Sequence, residues 1–362
     1  MKRYDFILDK LEIEYKVEKG QKINIFGKKF VDDNKNNCNL IINGEKRDLI
    51  YEYKPEKIMD REITIILVKE KPIENMSEMF SGCSSLSTVR AKTQWITDTV
   101  TDMSSMFYEC NNLKYFRGLD LNTSKVKDFS KMFYNCKSLL VISRELYFNT
   151  ENAENLKEMF YGCESLKNTK GTSDWNTAKV IDMSYMFFNC KKIEELDLSK
   201  WDFQRAKYLS GMFKGCESLK NITFSKTINS SEVIKMDSMF AECKNLDDFT
   251  NLNKFNTKNV KYMNNMFQNC SQLGTKFHLE LPWNTEKVEF MNYMFQNCSS
   301  LQKIIGLSEW NTKEVIFMNN MFQNCSQLEL DISKWKVDDV QSFNEMFDGC
   351  SKEKIKKPSL LN

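Results

Sequence analysis

The pattern Met-Phe-x-x-Cys occurs eleven times in this 362-residue chain, and this repetition constrains the fold more than any other feature. Successive cysteines are 25 to 28 residues apart. One unit of this length cannot bury its apolar side chains alone, so a fixed period predicts that neighbouring units pack against each other. The repeated cysteines are Cys83, Cys110, Cys136, Cys163, Cys190, Cys216, Cys243, Cys270, Cys298, Cys325 and Cys350.

Each repeat contains a pattern that favours a short helix. In one repeat Val315, Met318, Met321 and Phe322 have the spacing of one helix face. Thr312 is the expected N-cap of this helix. Gly or Asn precedes the cysteine in nine of the eleven repeats, and because these residues tolerate left-handed backbone, the helix is expected to end there.

The residues after each cysteine predict a strand, most clearly over 193–199, where apolar and polar residues alternate. A strand, a turn and a short helix in each unit predict an α/β fold. It is a leucine-rich-repeat-like solenoid of about eleven coils over residues 73–351, with the strands in a parallel sheet.

The first 72 residues do not repeat and predict a small β-rich domain. Five alternating runs are expected to form strands, and Asn43-Gly44 is the expected hairpin turn. This domain is expected to cap the first coil, because the ends of a solenoid need covering. Residues 352–362 form a basic tail. The five runs are Leu11–Val17, Lys22–Phe26, Asn39–Ile42, Arg47–Tyr53 and Glu62–Val68.

The repeat resembles the BspA-like leucine-rich repeat surface protein family, in particular the type first seen in Mycoplasma lipoproteins. Residues 196–202 (LDLSKWD) resemble the strand and turn of that family's unit, and residues 180–190 resemble its helix and cysteine. The resemblance covers about residues 73 to 351. It implies a leucine-rich-repeat-like solenoid with a binding role and no catalysis.

Composition narrows the function classes. The single histidine, His278, excludes most catalytic triads and zinc sites with several histidines. A net charge of +2 gives no overall attraction to nucleic acid. No signal peptide, lipid anchor or transmembrane run is recognisable, which favours a cytoplasmic address; the family resemblance points instead to the cell surface. No cofactor is expected.

Two columns of repeated residues have alternative interpretations. The cysteines are either a redox or soft-metal array or small buried side chains, and the absence of Cys-x-x-Cys pairs and of histidine partners favours burial. The large apolar residues at the Trp310 position are either a stacking platform or core. Leucine and isoleucine also occupy that position, which favours core.

Strand residues that alternate with the buried ones are the expected binding surface. We call this set the strand row. Its first members are basic and its later members neutral or acidic, which suggests an elongated protein or peptide partner oriented by charge; variation at solvated positions is the alternative. The strand row consists of Arg90, Arg117, Lys170, Asp197, Thr223, Thr250, His278 and Asp331.

The sequence therefore favours a protein-interaction scaffold without enzymatic activity. A cell-surface or host-contact adhesin is the first alternative. A structural component that self-associates is the second.

Overall fold

A computed structural model of the chain describes residues 9–18, 20–56, 61–116, 119, 121–142, 148–276 and 278–361. It divides into two compact units, Met1–Trp175 and Asn176–Asn362. In the described part of both units the regular structure is mostly sheet, in several small sheets.

Unit 1 is built around a five-stranded antiparallel sheet with the order β4-β3-β6-β1-β7. The predicted turn at Asn43-Gly44 is present, since both residues have positive φ and they join β3 to β4. The described strands of this unit are β1 (Asp9–Lys16), β2 (Ile23–Asn24), β3 (Cys38–Ile42), β4 (Glu45–Asp48), β5 (Glu52–Tyr53), β6 (Glu62–Lys69) and β7 (Leu86–Ala91).

The sheet of unit 1 includes a strand from the first repeat. Strand β7 follows Cys83 and pairs with β1, with Val89 opposite Ile13. A short helix that the sequence did not predict, α1 (Lys28–Asn34), follows β2. The backbone N–H of Gly27, just before α1, donates to the carbonyl of Met79 at 3.0 Å. The residues before the repeats therefore lie directly on the first repeat.

In unit 2 the strands of neighbouring repeats pair in parallel. Strands β8, β9 and β10 form one sheet, β11 pairs with β12, and β13 pairs with β14. The described strands of this unit are β8 (Glu195–Leu198), β9 (Asn221–Phe224), β10 (Asp248–Thr250), β11 (Leu279–Glu280), β12 (Ile304–Ile305), β13 (Leu330–Asp331) and β14 (Ile355–Lys356). Short 3₁₀ turns occupy Lys170–Thr172 in unit 1, and Leu252–Lys254, Leu307–Glu309, Lys352–Lys354 and Ser359–Leu361 in unit 2.

The predicted helix in each repeat is wrong. We call the eight residues that end at the repeat cysteine, Met263–Cys270 in one repeat, the turn segment. It consists of successive tight turns, with i→i+3 bonds from Gln268 to Asn265 and from Cys270 to Phe267. The φ values of Asn265 and Asn269 are 58° and 61°, which no α-helix accommodates. The apolar residues are nevertheless buried as the pattern requires.

Hydrogen bonds between repeats account for this conformation. Alternate N–H groups of a turn segment donate to carbonyls of the following repeat; those of Met263, Asn265, Phe267 and Asn269 do so at 2.8 to 2.9 Å. Because every one of these bonds lies between repeats, the backbone cannot also form the i→i−4 bonds of a helix. Parallel bridges accompany them, from Asn75 through Asp102 and Asp128 to Asn155 in unit 1, and from Asp182 to Ser342 in unit 2.

Candidate binding surface

The three central members of the strand row lie side by side in unit 2. In the parallel sheet β8-β9-β10, Asp197 is opposite Thr223, and Thr223 is opposite Thr250. Asp197 and Thr250 are exposed and Thr223 is half-buried. Their strand neighbours Leu196 and Ile222 are buried, as expected when alternate side chains point to opposite faces of a sheet. The three side chains therefore share one accessible face.

Arg90 does not present a free positive charge. It lies on β7, where its Nε donates to Glu12 Oε1 at 2.6 Å and its guanidinium bonds Glu14 Oε1 at 2.7 Å. The hydrogen bonds from Lys92 and Arg90 lower the pKa of the Glu12 carboxyl. The local charge around Arg90 is thus balanced by β1.

The other outlying row members occupy different settings. Lys170 is exposed at the start of a 3₁₀ turn. Asp331 on β13 is exposed and lies opposite Lys356 of β14, with Lys356 Nζ 3.8 Å from its carboxylate. Arg117 lies outside the described residues. A common basic surface from Arg90 to Lys170 stays a prediction.

His278 borders a cavity of about 200 Å³ in unit 2. Its other lining side chains include Asp247, Asp248, Phe249 and Glu280. The Asp247 carboxylate accepts hydrogen bonds from the loop that follows Cys270: Thr275 Oγ1 donates at 2.7 Å and the backbone N–H of Lys276 at 2.9 Å. The cavity thus combines an aromatic wall with several acidic groups, close to the strand-row position Thr250.

The cysteine column is buried in both units. Ten of the eleven repeat cysteines are fully buried, and Cys350 is half-buried. Nine of these thiols donate to the phenylalanine carbonyl of the preceding repeat; Cys243, for example, donates to Phe213 O at 3.1 Å. Burial raises the pKa of Cys216 and Cys270 to about 12. A small apolar side chain with one weak donor suits this position, because it fills space and satisfies a carbonyl.

Three columns of side-chain amides cover the turn segments of unit 2, and the sequence reasoning missed them. In one column Asn292 Nδ2 donates to Asn264 Oδ1 at 3.0 Å, and Asn264 Nδ2 donates to Asp237 Oδ1 at 3.0 Å. Burial raises the pKa of Asp237, while its hydrogen bonds from Asn264 act in the opposite direction. The nearly identical sequences around Cys270, Cys298 and Cys325 were the available signal.

A family model matches most of the repeated region. The model is described as "Mycoplasma protein of unknown function, DUF285", and it matches residues 60–168, 143–248, 220–280 and 275–357. The chain belongs to the DUF285 family. A search of the curated proteins found no match.

The DUF285 matches overlap along the chain, which supports a repeat protein. The family description assigns no function. Among the described residues, no helix has both the length and the apolar character needed to cross a bilayer.

Proposed function

We propose that this DUF285 chain is a non-enzymatic interaction scaffold of the BspA-like leucine-rich repeat type. In this proposal its repeats stack as coils of a solenoid, and the strand row binds an extended protein or peptide segment.

The observation that carries the proposal is the register of Asp197, Thr223 and Thr250 across three parallel strands. Neighbouring strands are about 4.8 Å apart, so the row offers polar side chains at regular intervals on a face that lies over the buried side chains of Leu196 and Ile222. Such a rigid, regularly spaced surface suits an extended partner that touches several repeats.

The adjacent cavity adds an anchoring position for the partner. Its carboxylates and the Phe249 ring suit the head of a lysine or arginine side chain, through ion pairing and cation–π contact. A basic residue in the partner is therefore part of the proposal.

A peptide-display selection tests this function. Peptides selected on the full chain are measured against the triple variant Asp197→Lys, Thr223→Lys and Thr250→Lys. Affinity should fall by about tenfold or more, because positive charge replaces the neutral and acidic contacts at the centre of the interface.

The matched control carries Glu232→Lys and Glu286→Lys, which change the net charge by the same amount at exposed turn positions of the same unit. Peptides that bind the triple variant as well as they bind the control contradict the proposal. Equal losses in both variants show a nonspecific charge effect and contradict it as well.

A further inference from the structure

The backbone hydrogen bonds between turn segments all have the same direction. In every bonded pair within a unit the N–H belongs to the earlier repeat and the carbonyl to the later one. In the last complete pair, Asn320 donates to Asn344 O at 2.8 Å, and Phe322 donates to Met346 O at 3.0 Å. The final turn segment therefore accepts hydrogen bonds from the preceding repeat and directs its own alternate N–H groups away from it.

These outward N–H groups have no acceptor within the described part of the chain. They belong to Phe343, Glu345, Phe347 and Gly349. Phe343 and Phe347 are also half-buried, whereas Met318 and Phe322, the equivalent side chains one repeat earlier, are fully buried. We call the backbone and side chains of residues 343–350 the terminal edge.

Residues 351–361 cover the terminal edge only in part. Lys357 Nζ lies 4.9 Å from the centroid of the Phe347 ring and donates to Leu361 O at 2.6 Å. Leu361 is buried, but Leu360 leaves 59% of its surface exposed. Apolar surface and backbone donors are thus available at the same end of unit 2.

The start of the repeats in unit 1 shows how this protein closes a turn segment. There the Phe26 ring stacks on Phe80 at 5.5 Å between centroids, and the Gly27 N–H donates to Met79 O. The phenylalanines of the Met-Phe-x-x-Cys motifs stack on one another, as Phe80 does on Phe107, and we call this set the phenylalanine column. The segment around Phe26 thus places one aromatic ring on the phenylalanine column and supplies the hydrogen-bonding group that the first repeat lacks. At the terminal edge the missing groups are acceptors.

We propose that the terminal edge is a docking site for an extended peptide segment of another protein. That segment offers main-chain carbonyls at alternate residues and a phenylalanine side chain for Phe347. The outward N–H groups of the terminal edge can donate to the main-chain carbonyls of such a segment, as in the addition of a strand to a sheet edge. Stacking of the segment's phenylalanine on Phe347 adds to the binding free energy.

The direction of the hydrogen bonds argues against a second copy of this chain as the occupant. Two terminal edges facing each other place donors against donors, so neither set is satisfied. Head-to-tail stacking needs the carbonyl edge of the first repeat. There the Gly27 N–H already bonds the Met79 carbonyl, and α1 lies against the same segment through the side-chain hydrogen bond from Lys29 Nζ to Ser77 Oγ at 3.1 Å.

A synthetic peptide of residues 314–328 is a suitable probe. Within the chain this segment supplies the four carbonyls that accept from the preceding repeat, those of Phe317, Asn319, Met321 and Gln323. The full chain, kept reduced, is titrated with the peptide while amide hydrogen exchange is followed by NMR. Slower exchange at residues 343, 345, 347 and 349 is expected, with saturable binding.

Two variants make the test specific. Phe347→Ala should weaken peptide binding by about tenfold, while Phe290→Ala, which removes a half-buried ring two repeats earlier, should leave it unchanged. A scrambled peptide of the same composition should not bind.

Two results overturn the inference. One is unchanged exchange at all four amides with the peptide at millimolar concentration. The other is protection of these amides that grows with chain concentration in the absence of peptide, since this identifies a second copy as the occupant. Neither result depends on the strand row, so this inference and the proposed function fail separately.

Discussion

Raising the pH should unfold the repeats through their buried thiols. Burial raises the pKa of Cys216 and Cys270 to about 12, whereas a thiol in the unfolded chain has a pKa of about 8.5. Between these values the native state keeps its thiol protons and the unfolded state releases them. The stabilisation is therefore complete below about pH 8.5 and is lost as the pH rises towards 12.

The size of the effect follows from the number of buried thiols. Each such thiol costs about 1.4 kcal/mol of unfolding free energy per pH unit in this window. A raised pKa is shown for five of the fully buried thiols of unit 2, so its stability should fall by at least about 7 kcal/mol per pH unit. Because a typical domain has a total of about 5 to 15 kcal/mol, unfolding is expected within about two pH units above 8.5. The five are Cys216, Cys243, Cys270, Cys298 and Cys325.

Urea titrations at pH 8, 9 and 10 in the presence of a phosphine reductant measure this slope, with tryptophan fluorescence and circular dichroism as probes. The double variant Cys216→Ala and Cys270→Ala should reduce the slope by about 2.8 kcal/mol per pH unit, whatever its stability at pH 7. Cys350→Ala, at a half-buried position, should reduce it by less than either buried substitution. A free energy of unfolding that is constant from pH 8 to pH 10 refutes the reasoning.

Three further predictions concern stability. Phe240→Ala removes a fully buried ring from the phenylalanine column and should lower the free energy of unfolding in urea by about 3 to 5 kcal/mol. Phe317→Ala, which removes a half-buried ring, should lower it by about 1 to 2 kcal/mol. Equal losses in the two variants contradict the packing argument. Gly27→Ala places a Cβ 1.9 Å from a backbone carbonyl; it should destabilise the fold by about 3 kcal/mol and lower the melting temperature accordingly. Gly20→Ala has open space around it but a φ of 76°, so it should cost only the strain of left-handed backbone, about 1 to 2 kcal/mol. Asp237→Asn should keep or raise the melting temperature, because it removes a buried charge and keeps an acceptor for the amide column. Asp237→Ala should lower the free energy of unfolding by about 2 kcal/mol, because it removes that acceptor. A larger loss of stability with Asn than with Ala would show that the charge itself is needed.

Much of the buried architecture was predictable from the repeat alone. The positions of Val315, Met318, Met321 and Phe322 were assigned to the core, and all four are fully buried. The strand alternation near residue 196 and the turn at Asn43-Gly44 were also confirmed. These features depend on which residues leave water and on local turn chemistry, and both are written into the residue types.

The conformation of the turn segment was not predictable in the same way. Spacing at i, i+3 and i+7 fits a helix, and it fits successive tight turns equally well. The deciding positions include Glu78, Lys131 and Tyr185, which have φ of 56° to 58° although none of these residue types favours left-handed backbone. Hydrogen bonds between repeats stabilise this conformation, and no single repeat contains both partners.

The sequence by itself thus determined the period, the buried columns and the presence of strands, because burial is encoded residue by residue. Only the tertiary structure decided the hydrogen-bond direction, the pairing of Arg90 with β1, the amide columns and the donors at the terminal edge. Each of these depends on groups about one repeat or more apart in the chain, whose meeting is fixed by how one repeat lies on the next.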